Sequence, residues 1–187
     1  MKPRSNDKRS AILAAAVRAI DRQGLRAPTA VIAREASIAT GSLFTYFATK
    51  SMLFNELYLE LKRDMVAAAS AGLRTDATPP ERLHPLWSNW THWAVCFPQK
   101  RRVLAQLEVS DDIAAATRAR GQQIMGEVVD LVGQARAHGP MRETSWAFVA
   151  AIMNAVAEAT MDLMLSDSAN AERHCQAGFE VLRRVLS

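Results

Sequence analysis

Residues 32–50, which read IAREASIATGSLFTYFATK, decide the fold of this 187-residue chain. Their large apolar side chains recur at helical spacing, which predicts two short helices with Leu43, Phe44 and Phe47 pointing inwards on the second. The opposite side of that helix carries Gly41 and a group of hydroxyl-bearing residues. Because glycine costs about 1 kcal/mol relative to alanine inside a helix, we expect this side to meet a surface that approaches the backbone closely.

Two short helices joined by a tight turn, the second with a polar face, are typical of a helix-turn-helix. Hydroxyl and phenol groups are suitable partners for phosphate oxygens. Residues 1–50 carry nine Lys and Arg against three Asp and Glu, or +6, whereas residues 51–187 carry fourteen against sixteen, or −2. A basic N-terminal quarter indicates a surface that binds a polyanion such as DNA. A merely solvated basic surface is the alternative.

Helical spacing continues along the chain, without strand alternation or internal repeats, and predicts an all-α protein of about nine helices. A three-helix head is followed by a larger helical body. Residues 74–82, RTDATPPER, have the composition of a linker. Gly24 is expected to end the first helix, and Thr29 to cap the second. The other predicted helices cover residues 40–47, 51–71, 84–97, 99–109, 111–137, 142–166 and 168–186.

The predicted helix at 142–166 is apolar nearly all round. One face is formed by Trp146, Met153 and Met161, and another by Phe148 and the small residues that follow it at helical spacing. Such a helix must be buried on both sides. We expect one side to face its own core and the other a second subunit, in a homodimer built from the last two helices. A single fully buried central helix is the alternative.

Several classes of protein are disfavoured by what the sequence lacks. Cys96 and Cys175 show neither a disulfide framework nor metal-ligand spacing, which suits a reducing cytosol. His92 and Cys96 stand four residues apart, but two ligands alone do not make a metal site. We find no signal peptide, no stretch expected to span a membrane and no enzyme motif. The sequence therefore predicts a cytoplasmic protein that is not an enzyme and has no cofactor.

The stretch TAVIAREASIATGSLFTYFATKSMLF closely resembles the DNA-binding domain of TetR-family transcriptional regulators. The family hallmark reads roughly T-x-x-x-I-A-x-x-A-G-V-S-x-G-x-L-Y-x-Y-F-x-x-K-x-x-L, and the match is unbroken from Thr29 to Leu53. There are two departures: Ser37 stands where the family usually has glycine, and Ala39 where it usually has serine. The resemblance implies a helix-turn-helix DNA-binding domain at 1–50 and a helical ligand-binding and dimerisation domain at 51–187.

Carried over position by position, the resemblance implies a set of DNA-binding residues. Thr29, Tyr46 and Lys50 match phosphate-contacting positions, and Arg34 is expected to add a backbone contact. The recognition face presented to the major groove would consist of Thr40, Gly41, Ser42 and Thr45. Lys2, Arg4, Lys8 and Arg9 would form a basic arm. Since this face has no Arg, Asn or Gln, which give the strongest base readout, we expect part of the specificity to come from threonine methyl groups and DNA shape.

Flat Trp and adaptable Met side chains in the body could line a cavity for a planar lipophilic effector. Ordinary core packing is the equal alternative for each of them. The motifs TAVIAR, YFATK, LYLELK, QLEVSDD, AEATMD and GFE are similar to the RamR-type subgroup, which represses multidrug-response genes. Glu108, Glu158 or Asp162 could balance a cationic ligand. The predicted ligand-binding residues are Tyr58, Lys62, Trp87, Trp90, Leu104, Met125, Met153 and Ala157.

The resemblance as a whole implies a ligand-responsive repressor that binds a pseudo-palindromic operator as a homodimer. A small lipophilic effector would enter the body and pivot the helix at 51–71, which would change the spacing of the two heads. Two alternatives stay open. One is a TetR-type activator, or a repressor with an acyl or steroid-like effector, and the other is a helical enzyme or adaptor. The operator, the regulated genes and the effector are not readable from the sequence.

Overall fold

The structure is a computed structural model, and it describes the backbone of residues 5–186 and the side chains of residues 7–186. In that part of the chain the regular elements are all helical, which confirms the predicted all-α class. The helices are α1 (Ser5–Gln23), α2 (Thr29–Glu35), α3 (Thr40–Tyr46), α4 (Lys50–Ala69), α5 (Pro79–Cys96), α6 (Pro98–Glu108), α7 (Ala115–Ile124), α8 (Gly126–Ala135), α9 (Trp146–Ser166) and α10 (Ala171–Leu186), with a 3₁₀ turn at Ser168–Asn170.

Some predicted boundaries were wrong. The helix expected over 111–137 is two helices, because the helical conformation is interrupted at Met125, between α7 and α8. Helix α5 begins at Pro79, inside the expected linker, because proline is well tolerated in the first turn of a helix. Thr29 does not cap α2 but is its first residue, and Pro28 holds the cap position without a side-chain hydrogen bond.

The chain divides into two compact units. The first consists of the residues up to Arg63 together with Phe97–Gln123. Here α1 packs against both α2 and α6, and α2 packs against α3. Gly24, with φ +68°, ends α1 as expected. The fully buried large side chains of this unit are Ile12, Ile20, Ile32, Leu43, Phe47, Leu53, Phe54, Leu57 and Leu107.

The second unit consists of Asp64–Cys96 and Ile124–Ser187. Helix α5 packs against α8, α9 and α10, and α9 lies along α10. Gly178 lets α10 pack closely against α9 and α5. A Cβ atom at this position would lie 2.1 Å from Thr160 Oγ1 and 2.9 Å from Trp87 Cζ2. This division by compactness does not test the functional domains at 1–50 and 51–187, which stay a prediction.

Helix α9 has one side in the core of its unit and one side exposed. Met153, Ala157 and Met161 are buried, whereas Phe148 is 53% exposed and Ala155 is also exposed. Among the described residues, α9 alone is long and apolar enough to cross a membrane. The expectation that no stretch meets this criterion was therefore wrong. The core helix of a soluble protein passes the same test, so this is weak evidence for a membrane.

Candidate nucleic-acid interface and effector residues

Helices α2 and α3 form the tight turn that a helix-turn-helix requires. Between them Ser37 has φ +56°, a left-handed conformation that glycine adopts more easily. The turn is closed by the Ile38 N–H, which donates to the Ala33 carbonyl at 3.0 Å. Ile32 and Leu43 are fully buried and anchor one helix each. Ser37 therefore adopts the backbone conformation that the turn requires, although glycine would adopt it more easily.

The predicted recognition residues lie together on α3 and face solvent. Thr40, Gly41, Ser42 and Thr45 are all exposed. A Cβ atom added at Gly41 would meet no heavy atom within 4 Å, so the backbone there is open to an approaching surface. The cap position of α3 is occupied by Ala39, which makes no side-chain hydrogen bond. This helix thus presents small polar groups and an accessible backbone.

Phe44 was wrongly expected in the core. It is 44% exposed, whereas its neighbours Leu43 and Phe47 are 0% and 1% exposed. Phe44 lies four residues after Thr40 and three after Gly41, so helical spacing puts these three residues on one side of α3, and Thr45 follows Phe44 in sequence. Hydrophobicity alone could not separate Phe44 from the inward residues, because all three are large and apolar. The exposed face of α3 is therefore mixed, with one aromatic ring among hydroxyls.

The residues predicted to contact phosphates surround this face in sequence. Arg34 is exposed, and Thr29, Tyr46 and Lys50 are half-buried. The Lys50 Nζ lies 5.2 Å from the centre of the Phe54 ring. All four side chains can offer hydrogen-bond donors, but their role in DNA binding stays a prediction.

Arg9 does not behave as a free arm residue. Its guanidinium forms a bidentate ion pair with the carboxylate of Glu56 in α4. The same group donates to the Tyr46 carbonyl at 3.2 Å and lies 4.6 Å from the centre of the Phe47 ring. The Glu56 hydrogen bonds raise the pKa of Arg9, so it stays charged. Arg9 therefore joins α1, the end of α3 and α4. Of the other predicted arm residues, Lys8 is half-buried, and Lys2 and Arg4 lie outside the described residues.

The basic charge follows the compact units more closely than the predicted domains. The first unit contains sixteen Lys and Arg against eight Asp and Glu, or +8, and the second contains seven against eleven, or −4. Helices α6 and α7 contribute five of the basic residues, among them Lys100 and Arg101. A strong positive field thus belongs to the unit that contains α3.

Three predicted effector residues belong to the first unit: Tyr58, Lys62 and Leu104. The Lys62 ammonium pairs with the Glu108 carboxylate and lies 5.6 Å from the centre of the Tyr58 ring. The Tyr58 hydroxyl donates to Glu108 Oε2 at 3.4 Å. Burial, followed by the negative charge of Glu108, raises the pKa of Tyr58 to about 12. Because Glu108 is already paired with Lys62, it is a poor counter-ion for a cationic effector.

The other predicted effector residues, Trp87, Trp90, Met125, Met153 and Ala157, belong to the second unit. Trp87 is 1% exposed, and its indole N–H donates to the Cys175 carbonyl at 3.0 Å. Trp90 is half-buried and meets Trp87 edge to face, with ring centres 5.9 Å apart. Met153 and Ala157 are buried. Trp87 thus has a clear packing role, whereas Trp90 is the more accessible ring.

A cleft of about 360 Å³ lies within the second unit. Its floor is apolar, with Leu83 and Phe179, and its rim carries His138 and Arg183. None of the predicted effector residues lines it. In the described residues no group of three or more His, Cys, Asp or Glu side chains is arranged to hold a metal ion.

A helix-turn-helix with an exposed polar second helix, on a strongly basic unit, is typical of DNA-binding proteins. Residues 12–57 match the family described as bacterial regulatory proteins, tetR family. A TetR-family regulator structure from Shewanella sp. PV-4 is 25% identical, covers 94% of this chain and 95% of its own, and has a TM-score of 0.83. One from Marinobacter aquaeolei VT8 is 19% identical, with 100% and 98% coverage and a TM-score of 0.88.

Residues 12–57 thus match the TetR-family model, and the whole chain has the fold of structures described as TetR-family regulators. A structure of FadR from Bacillus subtilis in complex with stearoyl-CoA has the same fold, with 16% identity, 95% and 97% coverage and a TM-score of 0.69. The narrower resemblance to RamR-type repressors receives no support from these comparisons.

Proposed function

We propose that this protein is a ligand-responsive repressor that binds a pseudo-palindromic operator as a homodimer. The observation that carries the proposal is the exposed face of α3, where Thr40, Gly41, Ser42 and Thr45 lie on a unit of charge +8. Each subunit would place α3 in one major groove, and the dimer would span two half-sites. Binding to DNA requires access to the nucleoid, so we also propose a cytoplasmic location.

The test of DNA binding begins with the wild-type protein and a random-sequence duplex library. We expect selective, salt-sensitive capture of one symmetric sequence. A helical enzyme or adaptor with a basic surface would bind weakly and without sequence preference. If the protein captured duplexes without sequence preference at every salt concentration, an enzyme or an adaptor would be favoured instead.

Thr45→Ala tests base reading by the recognition face. We expect the variant to lose discrimination between the selected operator and a scrambled duplex, because the threonine methyl group can contact a base edge. Thr75→Ala, at an exposed position far along the chain from α3, is the matched control. Equal weakening of Thr45→Ala on all duplexes would show that Thr45 holds the backbone rather than reads bases.

The exposed side of α9 supports the dimer. Phe148 and Leu163 are 53% and 49% exposed on this helix, and Val181 of α10 is 50% exposed. Large apolar side chains exposed on two adjacent helices are typical of an interaction surface. In a twofold dimer the same surface meets itself, so one apolar patch serves both subunits.

Release by a small effector is the remaining part of the proposal. Its support is the pair of rings Trp87 and Trp90 in the second unit, which meet edge to face, with Trp90 as the more accessible ring. Titration of the dimer with planar lipophilic cations, acyl thioesters and steroid acids, followed by tryptophan emission, tests the effector class. Trp90→Phe should reduce the response without affecting operator binding. Trp87→Ala is a poorer probe, because it also removes the bond to Cys175.

The outcomes of the titration separate the open alternatives. Saturable quenching by cations alone would favour a multidrug-type effector. A response only to acyl or steroid acids would favour the other effector class, for which the FadR complex with stearoyl-CoA is a precedent in the same fold. Transcription in vitro from a promoter carrying the operator distinguishes repressor from activator.

A further inference from the structure

The exposed face of α3 contains a side chain that DNA binding by hydroxyl groups does not explain. Phe44 is 44% exposed, although Leu43 of the same helix and Phe47, which directly follows the helix, are buried. Keeping an aromatic ring in water is unfavourable, because its apolar surface gains free energy on leaving water. A ring held out on a functional surface therefore calls for a partner.

The surroundings of Phe44 define what that partner can be. The ring follows Thr40 and Gly41 on the same side of α3, and the backbone at Gly41 is open. Thr45, also exposed, is its neighbour in sequence. One aromatic ring surrounded by small hydroxyls on a unit of charge +8 does not have the apolar area of a protein interface. A polyanion with a local apolar group fits better.

The major groove of DNA supplies such a group. A phenylalanine ring has no hydrogen-bond donor or acceptor, so it cannot read the polar edges of bases. The 5-methyl group of thymine is the apolar feature that the major groove presents, and it is a known partner of phenylalanine. The four polar or small residues predicted to form this face include no Arg, Asn or Gln to take over readout.

We propose that Phe44 is a specificity-determining residue that contacts a thymine 5-methyl group in each operator half-site. This inference rests on the proposed binding of α3 in the major groove. It adds a base preference to that proposal, since guanine and adenine lack the methyl group and cytosine carries a hydrogen in its place. Operators of this protein should therefore contain a required thymine at a symmetric position in both half-sites.

The experiment uses the duplex that the wild type selects from a random-sequence library. Each thymine is replaced in turn, symmetrically in both half-sites, by deoxyuridine, which keeps the base pairing and the phosphates and removes only the methyl group. We expect one position at which the wild type loses about fourfold in affinity per methyl group. Phe44→Ala should bind the thymine and deoxyuridine duplexes equally, and Phe44→Leu should retain part of the preference.

Phe97→Ala is the matched control. Phe97 is 47% exposed, similar to Phe44, but precedes α6 and has Lys100 4.5 Å from its ring centre. This variant should keep the full thymine preference. Thermal unfolding of Phe44→Ala checks that the variant is folded. Because the Phe44 ring is exposed, we expect its removal to leave the melting temperature nearly unchanged.

Two results would overturn the inference. One is a wild type that binds the selected duplex but is indifferent to deoxyuridine at every position. The other is a Phe44→Ala variant that keeps the wild-type preference. If the wild type selects no sequence at all, the proposed operator binding fails with it, and this outcome is distinct because it appears before any substitution of thymine.

Discussion

The turn between α2 and α3 depends on one residue in an unusual backbone conformation. Ser37 has φ +56°, which costs a residue with a Cβ atom roughly 1 kcal/mol relative to glycine. Its side chain is exposed, and its N–H donates to the Arg34 carbonyl at 3.0 Å. The turn is therefore maintained by the packing of the helices on either side rather than by the preference of the residue in it.

Ser37→Gly should raise the free energy of unfolding by about 0.5 kcal/mol, because glycine relieves the strain but also makes the unfolded chain more flexible. Ala30→Gly, at an exposed helical site in α2, should lower it by about 1 kcal/mol. Urea unfolding measures both. A loss of stability in Ser37→Gly as large as that in Ala30→Gly would contradict the strain assigned to the turn.

Tyr58 makes a second prediction at the scale of a residue. Its ring is 3% exposed and packs on Gly121, where an added Cβ would lie 2.7 Å from Cε1. Glu108, Lys62 and Arg118 are the charged groups associated with it. Since its folded-state pKa is raised to about 12, the unfolded chain, with a pKa of about 10, loses this proton first as the pH rises.

The stability contributed by neutral Tyr58 should therefore be fully present below pH 10 and be lost between about pH 10 and 12. Tyr58→Phe should lose less stability across this range, although it is destabilised at neutral pH by loss of the bond to Glu108. Tyr46→Phe, which retains Tyr58, should keep the alkaline loss. Melting temperatures at several pH values test this, and parallel alkaline curves for wild type and Tyr58→Phe would refute it.

At the scale of elements, Arg9 joins three helices of the head. Its contacts with Glu56, the Tyr46 carbonyl and the Phe47 ring hold the end of α3 against α1 and α4. A cation at the C-terminal end of a helix also satisfies a carbonyl that has no partner within the helix. Arg9 is therefore expected to affect DNA binding through the orientation of α3.

Arg9→Ala should weaken binding to the selected operator several-fold without changing the slope of affinity against salt. Arg34→Ala removes an exposed cation predicted to contact phosphate and should reduce that slope by about 0.9. Glu56→Gln should weaken binding as Arg9→Ala does, and the double variant should cost less than the sum of the two. A reduced slope in Arg9→Ala would mean that Arg9 contacts phosphate after all.

At the scale of the whole molecule, charge and apolar surface are distributed differently between the two units. The first unit carries +8 and includes α3, whereas the second carries −4 and includes the exposed apolar side of α9. This distribution suits a protein in which one unit binds a polyanion and the other binds a second subunit.

Ala155→Arg tests the second of these roles. Ala155 is exposed on α9, so an arginine there is tolerated by the single chain but buries a charge in the proposed interface. We expect the variant to sediment as a monomer and to lose at least tenfold in operator affinity. Ala119→Arg, on the exposed side of α7, should remain a dimer. An Ala155→Arg variant that is still a dimer would exclude this face of α9 from the interface.

The sequence by itself determined the helical class, the turn between α2 and α3 and the basic character of the N-terminal region. These depend on local spacing, on hydroxyl and glycine chemistry and on the count of charges, which are all properties of neighbouring residues. The break at Met125 was not predicted, because the residues on both sides of it are compatible with one long helix. The effector residues stay a prediction, because Trp and Met side chains at helical spacing suit a packed core as well as a ligand site.

Only the tertiary structure decided where side chains of similar chemistry end up. Phe44 and Phe47 are equally apolar, but Phe44 is exposed and Phe47 is buried, because only one side of this segment packs against the rest of the first unit. Arg9 has the chemistry of a DNA-contacting arm residue, yet it forms an ion pair with Glu56, 47 residues later in the chain. Local patterns specify which elements form, and packing between residues distant in sequence decides which of their side chains remain free to bind DNA.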